Sequence, residues 1–114
     1  MLYVEDNGTI RLTRGDSAWL DIGIANISSD NSTGRYAITP DDVLTLSVKK
    51  KIKDEECIFS KTVTGSTTIY IKPNDTKYMT FGRYVYDVQL TTASGDVFTI
   101  IEPSVFEIMP EVTT

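Results

Sequence analysis

The chain has no histidine and a single cysteine, Cys57, in 114 residues. Without histidine there is no Ser-His-Asp or Cys-His nucleophile, no ordinary zinc ligand set and no side chain that titrates unperturbed near neutral pH. One cysteine cannot form an internal disulfide, so the fold has to hold by packing and hydrogen bonding alone. Its apolar neighbours in Cys57-Ile58-Phe59 make a small core residue the expected role. Basic charge is also scarce: 11 Lys and Arg stand against 16 Asp and Glu, a net charge of −5. That balance disfavours broad attraction to nucleic acid or to an anionic membrane. No apolar run approaches the length needed to span a bilayer, and Met1-Leu2-Tyr3-Val4-Glu5-Asp6 lacks the basic and apolar regions of a secretory signal. The chain is therefore expected to be made and kept soluble in a cytoplasm. The acceptor tripeptides at Asn7, Asn26, Asn31 and Asn74 read as chance matches in a chain rich in Ser, Thr and Asn.

Strict alternation is what the sequence does have. A hydrophobic content of 40% is enough for one packed core, and the length fits one domain over 1–114. Gly82 to Thr91 and Val97 to Ile101 alternate on either side of Thr92-Ala93-Ser94-Gly95-Asp96, which predicts a β-hairpin with Tyr84, Tyr86, Val88 and Leu90 on its buried face. Ser17 to Ala25 places Ala18, Leu20, Ile22 and Ile24 on one face, with Trp19, Asp21 and Gly23 on the other. Val43 to Lys51 points Leu44, Leu46 and Val48 inward. Further strands are expected over Thr9 to Thr13 at an edge, over Arg35 to Ile38, and over Cys57 to Val63 and Thr67 to Lys72 as a second hairpin about Thr64-Gly65-Ser66. Asn26 to Gly34 reads as the longest polar loop. Pro73 to Thr80 reads as a crossover with one helical turn capped by Asp75 or Thr76. Glu102-Pro103 is expected to interrupt the last strand, which resumes over Val105 to Met109 along an edge. The expected fold is all-β, an antiparallel sandwich of about seven to nine strands.

No spacing marks a catalytic centre. Asp21, Asp87, Asp96, Glu102 and Glu107 are the available carboxylates, and none is paired by sequence in a way that would raise a pKa, so no enzyme is expected. Asp41-Asp42 and Asp30-Asn31 offer loop oxygens but lack the spacing of a calcium loop, so neither metal nor other cofactor is expected. Lys49 to Lys53 is offset by Asp54-Glu55-Glu56 at the same hairpin tip, which weighs against nucleic-acid binding. Arg14-Gly15-Asp16 matches an integrin-binding tripeptide but equally suits a tight turn, with glycine supplying a positive φ.

Gly82-x-Tyr84-x-Tyr86-Asp87 is similar to the penultimate strand of immunoglobulin-like sandwiches, where a tyrosine ties the strand to the preceding corner. Taken in order, Arg14-Gly15-Asp16-Ser17, Asp42 to Lys50, Ile71 to Thr76 and Gly82 to Leu90 resemble small prophage-encoded proteins akin to the immunoglobulin-like N-terminal domain of siphophage upper baseplate proteins. The resemblance runs from about Thr9 to Ile108 and rests on structural motifs. It implies a disulfide-free immunoglobulin-like domain acting as an assembly part of a phage tail tip or baseplate. Its implied partners are other tail or baseplate proteins or further copies of itself. Ending at Thr114 without a receptor-binding region, the chain is expected to be an accessory or adaptor. Trp19, Tyr70 and Tyr78 are the candidate interaction residues, since large aromatics dominate interface energies. The competing expectation is a carbohydrate-binding module stacking sugars on Trp19, Tyr70 and Tyr86.

Overall fold

A computed structural model describes residues 1–24 and 37–111. The polar loop expected over 26–34 and the first half of the strand expected over 35–38 lie outside the described residues. Ala37 and Ile38 are not strand. The strands are β1 (Leu2–Val4), β2 (Ile10–Thr13), β3 (Ala18–Asp21, shorter than the alternation that runs on to Ile24), β4 (Val43–Lys49), β5 (Phe59–Thr64), β6 (Thr68–Ile71), β7 (Gly82–Thr91) and β8 (Val97–Met109). One short helix, α1 (Pro73–Thr76), precedes β7. Asp75 stabilises its start by accepting the Lys72 N–H at 2.8 Å.

Six strands form one sheet in the order β1-β2-β8-β7-β4-β5, and β3 and β6 form a second, two-stranded sheet. The fold is thus all-β in two sheets, with no disulfide among the described residues. Both sheets bury the face that alternation predicts. Leu44, Leu46 and Val48 of β4 and Tyr84, Tyr86, Val88 and Leu90 of β7 meet Ala18, Leu20, Ile69 and Ile71 of the small sheet in one cluster. Burying each large apolar side chain contributes about 1.5–3 kcal/mol. Phe106 of β8 anchors the cluster, with the rings of Tyr86 and Phe59 edge-on to it at 6.0 and 5.9 Å.

Several expectations are corrected. The pairing is not wholly antiparallel, because β2 runs parallel to β8, with Ile10 opposite Phe106 and Thr13 opposite Met109. Nor is β2 an edge strand: Leu2–Val4 pairs antiparallel along its other side, a strand too short to announce itself by alternation. The last strand is continuous through Pro103. Tyr86 faces Ser104 while Val88 faces Ile101, so Glu102 and Pro103 together oppose Asp87 in a bulge. A bulge accommodates a residue with no N–H to give, which is why proline leaves the strand intact. The Val105–Met109 stretch then lies between β7 and β2 rather than along an edge.

Thr64-Gly65-Ser66 is not a hairpin turn either, because β5 and β6 belong to different sheets. Gly65, with φ of 69°, turns the chain across the core as its N–H donates to the Asp42 carbonyl at 2.8 Å. A Cβ there would lie 3.0 Å from the Pro40 carbonyl oxygen. Cys57 is exposed rather than buried, since it falls in the irregular stretch before β5 where no sheet face turns it inward.

Candidate interaction surface

The outer face of the small sheet follows from parity. Ala18 and Leu20 point into the core, so Trp19 and Asp21 must point out; Ile69 and Ile71 point in, so Tyr70 points out. The antiparallel register sets Trp19 directly opposite Tyr70. Their rings stack with centroids 4.6 Å apart and planes within 6°. Trp19 remains 62% exposed. Polar groups frame the pair: the Ser17 and Tyr70 hydroxyls lie 3.5 Å apart, and the Thr67 hydroxyl donates to Asp21 at 3.1 Å. The result is a preformed aromatic surface with hydrogen-bonding groups at its margin.

Two other aromatics lie elsewhere. Tyr78, 81% exposed, stands on the stretch after α1 beside an open cleft lined by Lys50, Ile58, Met79 and Tyr84. Tyr86 is in the core, because it shares a face with Val88 and Leu90 across from Val48. It therefore cannot be the third member of a sugar-stacking platform. Its hydroxyl donates to the Gly8 carbonyl, and burial pushes its pKa above the ordinary tyrosine value. Trp19 and Tyr70 are separated along the chain, and only the register of β3 against β6 brings them together.

The Arg14-Gly15-Asp16 turn is structural. The Arg14 guanidinium reaches Glu111 at 3.2 Å, donates to the Met79 carbonyl at 3.2 Å and lies 4.2 Å from the centre of the Phe81 ring. Gly15, at φ of 81°, donates its N–H to the Thr76 hydroxyl, and Asp16 takes the N-terminal ammonium. The turn therefore joins the start of the chain, the end of α1 and the end of the described chain.

Three of the five carboxylates considered from the sequence have separate partners. Asp21 accepts from Thr67, Asp96 accepts from Ser94 at 3.2 Å, and Glu107 is shared by Arg11 at 3.3 Å and Arg83 at 3.8 Å. Among the described residues no cluster of His, Cys, Asp and Glu could hold a metal ion, and no helix is long and apolar enough to cross a membrane.

Sequence reasoning also passed over a hydroxyl-rich face. Thr45 and Ser47 of β4 oppose Thr62 and Ser60 of β5 on the outer side of the large sheet, with hydroxyl oxygens 3.4 Å apart in both pairs. The alternating Ser and Thr of Thr45-x-Ser47 and Ser60-x-Thr62 carried that signal. No protein-family model, no curated protein and no solved structure matches the chain.

Proposed function

We propose that this chain is an immunoglobulin-like assembly domain of a phage or prophage particle that docks through the Trp19–Tyr70 face onto a tail or baseplate protein. The exposed stacked pair carries the reading. A tryptophan already held by its neighbour gives up little conformational freedom on binding, and tryptophan and tyrosine are the commonest energetic anchors of interfaces. The immunoglobulin-like part is supported by the tyrosine near the start of β7: Tyr84 donates its hydroxyl to the Thr80 carbonyl at 2.8 Å, as a tyrosine corner would. The particle is suggested by the ordered motifs described above.

The test is co-purification of the chain with tail proteins encoded beside it, for wild type and for Trp19→Ala. An anchor of about 2 kcal/mol predicts roughly thirtyfold weaker binding in the variant. Equal affinity in wild type and variant would remove the aromatic face from the interface. A carbohydrate-binding role is the second reading, favoured by the pairing of two aromatics that alternation alone left ungrouped. A rise in melting temperature with a host-wall polysaccharide, absent in Trp19→Ala, would select it instead.

A further inference from the structure

We propose that strand β5 is a self-association edge, on which a second copy of this chain adds its own β5 antiparallel about a twofold axis through Thr62. Among the described residues β5 has one strand neighbour, β4. Sheet edges normally carry a charge, a proline or a bulge that repels a further strand. Phe59–Thr64 has no proline and pairs with β4 in unbroken register from Val43↔Thr64 to Val48↔Phe59. Its one charge, Lys61, is turned to the inner side with Leu46 and is neutralised by Asp75 at 2.9 Å.

Hydrogen-bond parity shows what the edge offers. Gly65 donates to the Asp42 carbonyl one step beyond the Val43↔Thr64 pair. In an antiparallel ladder bonded pairs alternate, so Val63 and Lys61 bond to β4 while Ser60, Thr62 and Thr64 direct their N–H and C=O groups away from it. Every register with its axis on a residue keeps like faces together, and two of these, through Lys61 and through Thr62, pair the most of Phe59–Thr64. One sets Lys61 against its own copy, a like-charge pair that destabilises a ladder. The other sets Thr62 against Thr62, Lys61 against Val63 and Ser60 against Thr64, and all the outward backbone groups then face one another. That register forms about six backbone hydrogen bonds between the copies. It also extends across the axis the hydroxyl pairing already present between Thr45 and Thr62 and between Ser47 and Ser60. The interface is isologous and closes at two copies.

Sedimentation of the full chain over about 1 to 200 µM reads the assembly directly, because a dimer dissociates by mass action. Wild type is expected to be a dimer at the upper end. Thr62→Lys, an exposed change that sets two lysines face to face on the axis, is expected to weaken it at least tenfold while leaving the circular dichroism unchanged. A second measurement does not depend on that variant folding. Thr62→Cys in a Cys57→Ser background should cross-link to a covalent dimer on mild oxidation, since bonded antiparallel partners have Cα atoms about 5.5 Å apart. Cross-linking through exposed Cys57 in wild type sets the rate of random encounter. A wild type that stays monomeric throughout, or cross-linking at Thr62→Cys no faster than at Cys57, overturns the proposal.

Discussion

Replacing Thr76 with valine tests whether the Arg14–Asp16 turn is held by α1. Thr76 is fully buried at the end of the helix, and its hydroxyl accepts the Gly15 N–H at 2.9 Å. The turn closes locally through the Asp16 N–H to the Thr13 carbonyl, and Thr76 is what ties its central N–H, that of Gly15, to α1. Valine has the same shape and leaves no cavity, so the change reports the lost acceptor. A buried donor left without a partner costs about 1–3 kcal/mol, and the partial burial of this contact favours the lower half of that range. With unfolding entropy near 2.1 cal/mol/K per residue, 114 residues give roughly 0.24 kcal/mol/K, or about 4 °C per kcal/mol. Thr76→Val should therefore lose about 4–8 °C in Tm. Thr76→Ser keeps the acceptor and loses one buried methyl, for about 0.8 kcal/mol.

Urea denaturation gives both stabilities, and amide hydrogen exchange at Gly15 separates the causes. Exchange at Gly15 should accelerate in Thr76→Val more than the global loss explains, and should track global stability in Thr76→Ser. A valine variant with unchanged stability and unchanged Gly15 protection would refute the reasoning.

Gly65→Ala combines the strain of a positive φ, about 1–2 kcal/mol, with a Cβ placed 3.0 Å from the Pro40 carbonyl oxygen. Gly95→Ala has a similar φ of 92° with nothing within 4 Å, so the difference between the two denaturation midpoints isolates the contact, and equal losses would show that the loop simply moves. Tyr86 supplies a pH dependence with a definite sign. Its folded pKa is raised by burial, so its contribution is complete below the unfolded value near 10 and is lost as pH rises through the folded value. Tyr86→Phe should be about 1 kcal/mol less stable at pH 7 for want of the bond to Gly8, and the gap should narrow above about pH 10, where wild type loses up to about 1.4 kcal/mol per pH unit. Urea midpoints for both proteins at pH 7, 9 and 11 check this, and a constant gap would contradict it.

What the sequence made legible was the buried face of the longer alternating runs. Leu44, Leu46 and Val48, the inward face of Tyr84 to Leu90, and Ala18, Leu20, Ile22 and Ile24 are buried as alternation requires. Pairing partners are a different matter, because they are chosen by residues far apart in the chain. Nothing local tells β2 that it will lie beside β8, or that Gly65 carries β5 into the opposite sheet rather than back along itself. Pro103 misled for a related reason. Its missing N–H forbids one ladder bond, but whether a strand ends there depends on the facing strand, and Asp87 of β7 accommodates the extra residue.

The aromatic surface lies between those cases. Turning Trp19 inward would require slipping β3 by one residue, which would expose Ala18, Leu20 and the opposing face they cover. The core therefore forces position 19 outward, yet it places no demand on what stands there, and a threonine would serve the strand as well. Stacking on Tyr70 returns only about 0.5–1.5 kcal/mol beyond the area the rings cover. That is a small stabilisation for the chain's sole tryptophan held 62% exposed, so folding does not account for its identity. If contact with another molecule does, Trp19→Ala should lose its binding while its melting temperature stays within a few degrees of wild type. A larger fall in stability than the stacking supplies would make Trp19 a structural residue after all.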